Sequence, residues 1–380
     1  MRICMVCPTY PPNDVPCGVG DYTRELAEHL AVTGVSLTVV ASTFHRPENS
    51  SPIQVIPFAE RWDWRATRNL ARFIHEGAFD LIHIQYTPGL FGRLPWMKLL
   101  PAVLALRGGP RVILTPHTLV AGYSSATMLA PLLTSFSHRI ICPNDEVTYL
   151  VSKYLPFLRP RVRRIPIGSS IPALVGDPEL TRAAIRAEFG LEADTALLSH
   201  FGFAYSGKGI ETLLAASSRL RAAGVKYLLL IIGGPWPGAE AYYKELQAIT
   251  RTSGLNEHIL WLGHCGRERI AALLLASDIY VVPYEDGISA RRSTLVAGIM
   301  HQLPIISTHP VKPSPRFRDG ENVLLVPPGD HVALSRAMTT LITSPELRRR
   351  LRLGVADLAK DFSWSRIAES TAAVYHEVCV

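Results

Sequence analysis

The chain has 380 residues, a length that suits two α/β domains of similar size better than one core. Hydrophobic residues make up 48% and charged residues 19%, which supplies material for burial and excludes a disordered chain. The formal charge of +7 suits anionic ligands such as nucleotide diphosphates, or an anionic membrane face; no nucleic-acid-binding motif accompanies it.

The first segment, Arg2–Val6, reads as a buried strand. It carries Cys4 and begins a Cys-x-x-Cys with Cys7, but strand residues at that spacing point to opposite faces and no second ligand pair follows. With Cys17, Cys142, Cys265 and Cys379 these read as structural thiols of a reducing compartment. Pro8, Pro11 and Pro12 interrupt the chain too early for a secretory signal. From Asp21, Tyr22, Leu26, Ala27 and Leu30 recur at helical spacing; Gly34 stops that helix and residues 35–40 form the next strand. Further short strands are expected at 81–84, 112–114 and 139–142. The apolar stretch 94–106, broken by Lys98 and Pro101, is too short to span a bilayer and reads as a buried or interfacial helix. Alternation pauses at 163–172 and at Gly176-Asp177-Pro178. It restarts with strands at 196–200, 227–232, 259–261, 279–282, 304–307 and 323–326. Two such runs predict an α/β chain of two Rossmann-like domains, 1–172 and 173–361, whose parallel sheets face a central cleft. No solenoid period and no low-complexity tract is present.

Candidate chemistry lies where strands hand over to helices. Gly18 and Gly20, in Cys17-Gly18-Val19-Gly20-Asp21-Tyr22, allow close backbone approach at a helix start that favours an anion; a tight connection is the plain alternative. After the strand at 196–200, Gly202 and Gly207-Lys208-Gly209 put a mobile cation where a phosphate would sit, although P-loop spacing is absent. The stretch Tyr284-Glu285-Asp286-Gly287-Ile288-Ser289-Ala290-Arg291-Arg292-Ser293-Thr294 gathers hydroxyls and guanidinium groups at a helix start, chemistry for gripping phosphate oxygens. His117 follows a strand at its carboxyl end, whereas His83 sits inside an apolar strand and reads as core. The basic runs 159–164 and 348–352 read as solvated faces, with docking to anionic lipid as the alternative.

At these residues the sequence resembles the retaining GT-B glycosyltransferases of family 4, and the resemblance covers nearly the whole chain. Gly18-Val19-Gly20-Asp21-Tyr22 is similar to the family's glycine loop and helix start, and Asp80-Leu81-Ile82-His83-Ile84-Gln85-Tyr86 and Thr115-Pro116-His117 resemble its next two acceptor-side loops. Ile165-Pro166-Ile167-Gly168 resembles the segment before the linker, and Gly207-Lys208-Gly209 its donor-phosphate lysine. Gly320-Glu321-Asn322-Val323 through Asp330 resembles its late donor-domain loop, and Phe362-Ser363-Trp364-Ser365-Arg366 its final helix. The resemblance implies that residues 362–380 cross back to the first domain, and it adds Gly263 to the donor-binding glycines.

Two departures stand out. The family usually carries two glutamates eight positions apart, the second seven before a proline. Counting back from Pro304 gives Ala297 and then Ser289, while the acids Glu285 and Asp286 lie upstream. The arginine often found before the lysine is also absent, with Phe203 and Ala204 in that region. The chain resembles a branch with Asp-Gly-x-Ser-x-Arg-Arg instead. Arg291 or Arg292 would supply the missing charge, and Asp286 or Ser289 would orient the sugar. The resemblance implies retaining transfer of a hexose from a UDP- or GDP-sugar, with the diphosphate held by Lys208, the Arg pair and backbone N–H groups of 287–294. It also implies His117 at the sugar or acceptor, closure across 172–180, and no metal or other cofactor. Expected partners are the donor and a glycan or lipid-linked acceptor, in cytoplasmic synthesis of a cell-surface polysaccharide or glycolipid, with peripheral membrane contact left open. Rival readings are an inactive nucleotide-sugar-binding partner, a nucleotide-sugar epimerase, and a nicotinamide oxidoreductase, the last lacking its glycine fingerprint.

Overall fold

The computed structural model describes residues 1–11, 17–43, 53–87, 89–92, 96–118, 130–172, 177–312 and 314–379. The chain forms two compact units, Met1–Gly168 with Ser363–Val380, and Ser169–Phe362.

In the first unit, seven strands run β1 (Arg2–Val6), β2 (Ser36–Ser42), β3 (Gln54–Ala59), β4 (Leu81–Tyr86), β5 (Arg111–Pro116), β6 (Arg139–Cys142) and β7 (Val162–Arg164). They form one parallel sheet in the order β3-β2-β1-β4-β5-β6-β7. The central strands β1 and β4 are almost wholly buried, as a sheet covered on both faces requires, and β4 carries His83 and Gln85 among its apolar residues. Both strands absent from the sequence reading are edges. Half-exposed β3 carries Pro57, tolerable only where one side of the ladder is unpaired, and β7 is three residues long with two arginines. In the run 159–164, Arg159, Arg161 and Arg164 are exposed, as a solvated face requires, and Arg161 and Arg163 are also tied to the protein. Arg161 donates to the carbonyls of Ser135 and Ser137, and Arg163 and Arg139 both grip Glu377 on the last helix, Trp364–Cys379. Gly168 meets that helix where a Cβ would come within 2.4 Å of the Trp364 ring.

The second unit holds β8 (Ala196–Phe201), β9 (Tyr227–Ile232), β10 (Ile259–Gly263), β11 (Ile279–Val282), β12 (Ile305–Thr308) and β13 (Leu324–Val326). These form a parallel sheet ordered β10-β9-β8-β11-β12-β13. Its core joins Leu198, Leu229, Ile231, Val281 and Ile306 to helix residues such as Leu213, Leu220, Leu334 and Met338. In each sheet strand order reverses beside one strand, β1 in the first and β8 in the second. The crevices outside β1/β4 and β8/β11 are the places where doubly wound sheets bind ligands.

The apolar stretch around residue 100 becomes a 3-10 turn, Trp96–Leu99, and a short helix, Leu100–Leu106, with Leu100 and Leu104 buried; residues 94 and 95 lie outside the described residues. Among the described residues no helix is long and apolar enough to cross a membrane. Cys4 and Cys7 are buried and all six cysteines are free; burial pushes the Cys7 thiol up to about 11, so it stays protonated. In the second basic run, Arg348 donates to the Leu341 and Ile342 carbonyls and so caps the preceding helix, His331–Thr343.

Candidate active site

In the second unit the loops after β8 and β11 lie side by side, because those two strands pair directly. Gly209 sits in the left-handed region, and a Cβ there would come within 1.9 Å of the Pro283 carbonyl, so only glycine lets the two loops touch. It opens the helix Ile210–Ala222 without a side-chain cap. Gly202 directly follows β8, with a Cβ position 3.4 Å from Lys208 Nζ and 3.3 Å from Thr294 Cγ2, which brings three predicted residues together. Gly263 ends β10, where its carbonyl accepts from the Gly233 N–H at 2.8 Å.

Lys208 is 5% exposed, and its ammonium lies 5.3 Å from the Tyr284 ring centroid and 5.0 Å from that of Tyr205. On Tyr284 a second cation arrives: the Arg292 guanidinium stands 3.9 Å from the same centroid. Burial, with Arg292 adding repulsion, lowers the Lys208 pKa to about 7. Asp286 pairs with both Arg291 and Arg292, yet Arg292 Nε stays buried without a partner. Two guanidiniums thus pair with a single carboxylate near the Lys208 ammonium, and these groups together carry a cationic excess.

The loop is shaped by its own hydrogen bonds. Gly287 closes a turn by donating to the Tyr284 carbonyl at 3.3 Å, and buried Ser289 accepts the Arg291 N–H through Oγ at 3.3 Å. Thr294 bonds Tyr284 through its hydroxyl at 3.2 Å and accepts from Tyr280 through its carbonyl at 2.8 Å. Arg292 is the N-cap of the helix Ser293–Met300 and gives it no side-chain cap. The first-turn N–H groups of Ser293, Thr294 and Leu295 therefore lack intrahelical acceptors and favour an anion. Where the family usually has glutamates, Ser289 and Ala297 are both buried. Tyr284 and Tyr205, the rings that hold these cations, had no role in the sequence reading; the signal was an aromatic residue directly before Glu285 and Asp286.

In the first unit Gly18 begins the helix Gly18–Ala31 in open space, whereas a Cβ on Gly20 would lie 1.8 Å from the Thr9 carbonyl. Packing accounts for Gly20, and residues 12–16 of that loop lie outside the described residues. His117 extends the ladder beyond β5 by donating its backbone N–H to Tyr86, and its Nε2 meets Gln85 Oε1 at 2.9 Å. Its ring meets Tyr22 edge-on at 4.8 Å, and burial holds its pKa at about 3. His83 is fully buried between Tyr375 and Thr115, with its pKa likewise lowered to about 3, in keeping with the core reading. Among the described residues no group of three or more His, Cys, Asp or Glu side chains could hold a metal ion. Residues 173–176 of the expected hinge lie outside the described residues.

Residues 16–169 match the family described as Glycosyltransferase Family 4, and residues 181–353 match Glycosyl transferases group 1. Phosphatidyl-myo-inositol mannosyltransferase of Mycobacterium leprae is 26% identical over 398 residues, covering 100% of this chain and 97% of the relative. D-inositol 3-phosphate glycosyltransferase of Stackebrandtia nassauensis is 23% identical, covering 98% and 91%. In structure, sucrose-phosphate synthase from Thermosynechococcus elongatus aligns with a TM-score of 0.78 at 20% identity over 99% of this chain and 98% of that one. Anabaena HepE, solved with UDP and glucose, aligns at 0.74 and 15% identity over 98% of both chains. At such identities the structural likeness shows the fold alone. Two family matches that together span most of the chain, on two parallel doubly wound sheets, are decisive: this chain belongs to the GT-B glycosyltransferases of family 4 and acts on sugar donors.

Proposed function

We propose that the chain is a retaining glycosyltransferase that moves a hexosyl group from a UDP- or GDP-sugar to a glycan or lipid-linked acceptor. The observation that carries this reading is the pair of cations on Tyr284, Lys208 and Arg292, at two helix starts without side-chain caps. A nucleotide diphosphate gains negative charge as it leaves, and such a cluster is worth most in that state. Lys208, Arg292 and the N–H groups of Ser293 to Leu295 would hold the diphosphate. Arg291 and Asp286 would set the position of Arg292, since one carboxylate joins the two guanidiniums. His117, neutral at ordinary pH, would contact the transferring sugar or the acceptor through hydrogen bonds rather than charge. A phosphate oxygen of the leaving group would take the acceptor's proton, so the scheme calls on no protein base and no metal. The likeness to a phosphatidyl-myo-inositol mannosyltransferase favours a hexose donor and a lipid-linked acceptor.

A second reading, a partner that binds nucleotide sugar without transferring it, is favoured by Ser289 and Ala297 in place of the family's usual glutamates. Binding and slow hydrolysis across a panel of nucleotide sugars, with Lys208→Ala beside the unaltered protein, separate the two. Saturable binding of one donor, weakened in the variant and accompanied by hydrolysis, supports the transferase. Binding without any turnover supports the partner, and no binding to any donor removes the site assignment.

A further inference from the structure

The first unit contains a buried polar chain that ends at His117. On β4, His83 and Gln85 share a face because they are two residues apart, and Thr115 of β5 lies in register with Gln85. His83, Gln85 and Thr115 are each 0% exposed, as is Tyr375, which reaches them from the last helix. Burial of this kind is tolerated only when the polar groups satisfy one another.

The bonds fix a direction. Tyr375 Oη lies 2.6 Å from His83 Nδ1, and Thr115 Oγ1 lies 2.7 Å from His83 Nε2, so both ring nitrogens are engaged and the ring plane is set. The Gln85 amide nitrogen is nearly equidistant from those nitrogens, at 3.3 and 3.5 Å, a position over the ring's face. A neutral imidazole face attracts an N–H group and repels a carbonyl oxygen, which determines which way the amide turns. Its oxygen then faces His117 Nε2 at 2.9 Å. An amide oxygen only accepts, so that nitrogen of His117 carries the proton.

We infer that Gln85, oriented by His83 and through it by Tyr375, is a positioning residue that holds His117 protonated on Nε2 and leaves Nδ1 as a hydrogen-bond acceptor for a substrate hydroxyl. The consequence for recognition is specific. An acceptor nitrogen binds a sugar or polyol O–H and gives nothing to a phosphate or carboxylate oxygen. The final helix, far away in sequence, thereby takes part in setting the proton on a residue of the candidate site. The hydroxyl partner rests on the proposed sugar-transfer reading; the tautomer does not.

The test is long-range 1H–15N correlation on the full chain labelled with 15N-histidine, with the His117 signals assigned by their loss in His117→Gln. The expected spectrum places the proton on Nε2 in the unaltered protein. In Gln85→Leu that preference should be lost, and the KM of the sugar substrate should rise at least fivefold while kcat changes less. Gln85→Glu, which still accepts from Nε2, should restore the tautomer and bring the His117 pKa upward into the measurable range, a change that a purely structural role would not produce. A His117 proton on Nδ1 in the unaltered protein overturns the inference, as does an unchanged tautomer in folded Gln85→Leu. Because the spectra need no donor, an absence of transferase activity would count against the functional reading and leave this result standing.

Discussion

The two candidate regions bury titratable groups at the carboxyl ends of strands, and they treat charge in opposite ways. After β8 and β11, Lys208 is lowered to about 7 by burial and then by Arg292, so an incoming anion would relieve both causes at once. After β5, His117 is lowered to about 3 chiefly by burial, and its neighbours Gln85 and Tyr22 are neutral. One region is electrostatically unfinished without an anion, whereas the other is complete as a neutral hydrogen-bonding surface. This division suits a reaction in which charge builds on a diphosphate while a neutral sugar must be oriented.

The sharpest way to break the comparison is Lys208→Met. Donor kcat/KM should fall on the order of a hundredfold, the size of one charged contact worth about 2–3 kcal/mol. Thermal stability near pH 6 should hold or rise, because a buried cation without a matching anion has been removed. A fall in Tm together with retained activity would mean that Lys208 is structural.

Next come the arginines. Arg292→Ala should raise the donor dissociation constant at least tenfold, about 1.4 kcal/mol, since this side chain is 10% exposed and shares Tyr284 with Lys208. Arg291→Ala, with its side chain 37% exposed, should cost about threefold through looser placement of Asp286. Isothermal titration would read both, and unchanged affinity in the pair would eliminate the Arg cluster as the donor's grip.

The pH dependence follows from the same lysine. Its folded pKa of about 7 lies well below the ordinary lysine value, so the free protein's stability contribution is missing below about 7 and is gained as pH rises toward that ordinary value. Anion binding favours the charged form and runs the other way. Donor affinity should weaken about fivefold from pH 7 to 8, the ratio expected when one group near 7 must be protonated on binding. A flat profile that persists when Lys208 is replaced would show that the lysine is not linked to the donor. The smallest effect belongs to Ser289→Ala, about twofold on donor KM, because one neutral hydrogen bond to the Arg291 N–H is lost. A large loss there would indicate direct contact with the sugar.

Much of the fold was legible because central strands are nearly continuous apolar runs: β1 after its exposed Arg2, Tyr227–Ile232 and Ile279–Val282 carry that pattern. Edge strands escaped for the complementary reason. Half exposed or charged, β3 and β7 show no such run, and only pairing with a neighbour makes them strands. In the site, Lys208 and the Arg pair were visible as cations at helix starts. Tyr284 was not, because a ring's value to a cation depends on which loop folds beside it.

Sequence by itself determined two runs of strand–helix alternation, the glycine turns between them, and the residues able to bind an anion, since period and residue chemistry are local properties. Tertiary structure decided that Gly209 must clear the Pro283 carbonyl and that Lys208 and Arg292 share one tyrosine. It also decided that Tyr375 reaches His83 across 292 positions of chain. Such contacts depend on strand order and burial, and the energies of buried charges and hydrogen bonds are set by neighbours that the linear sequence does not place.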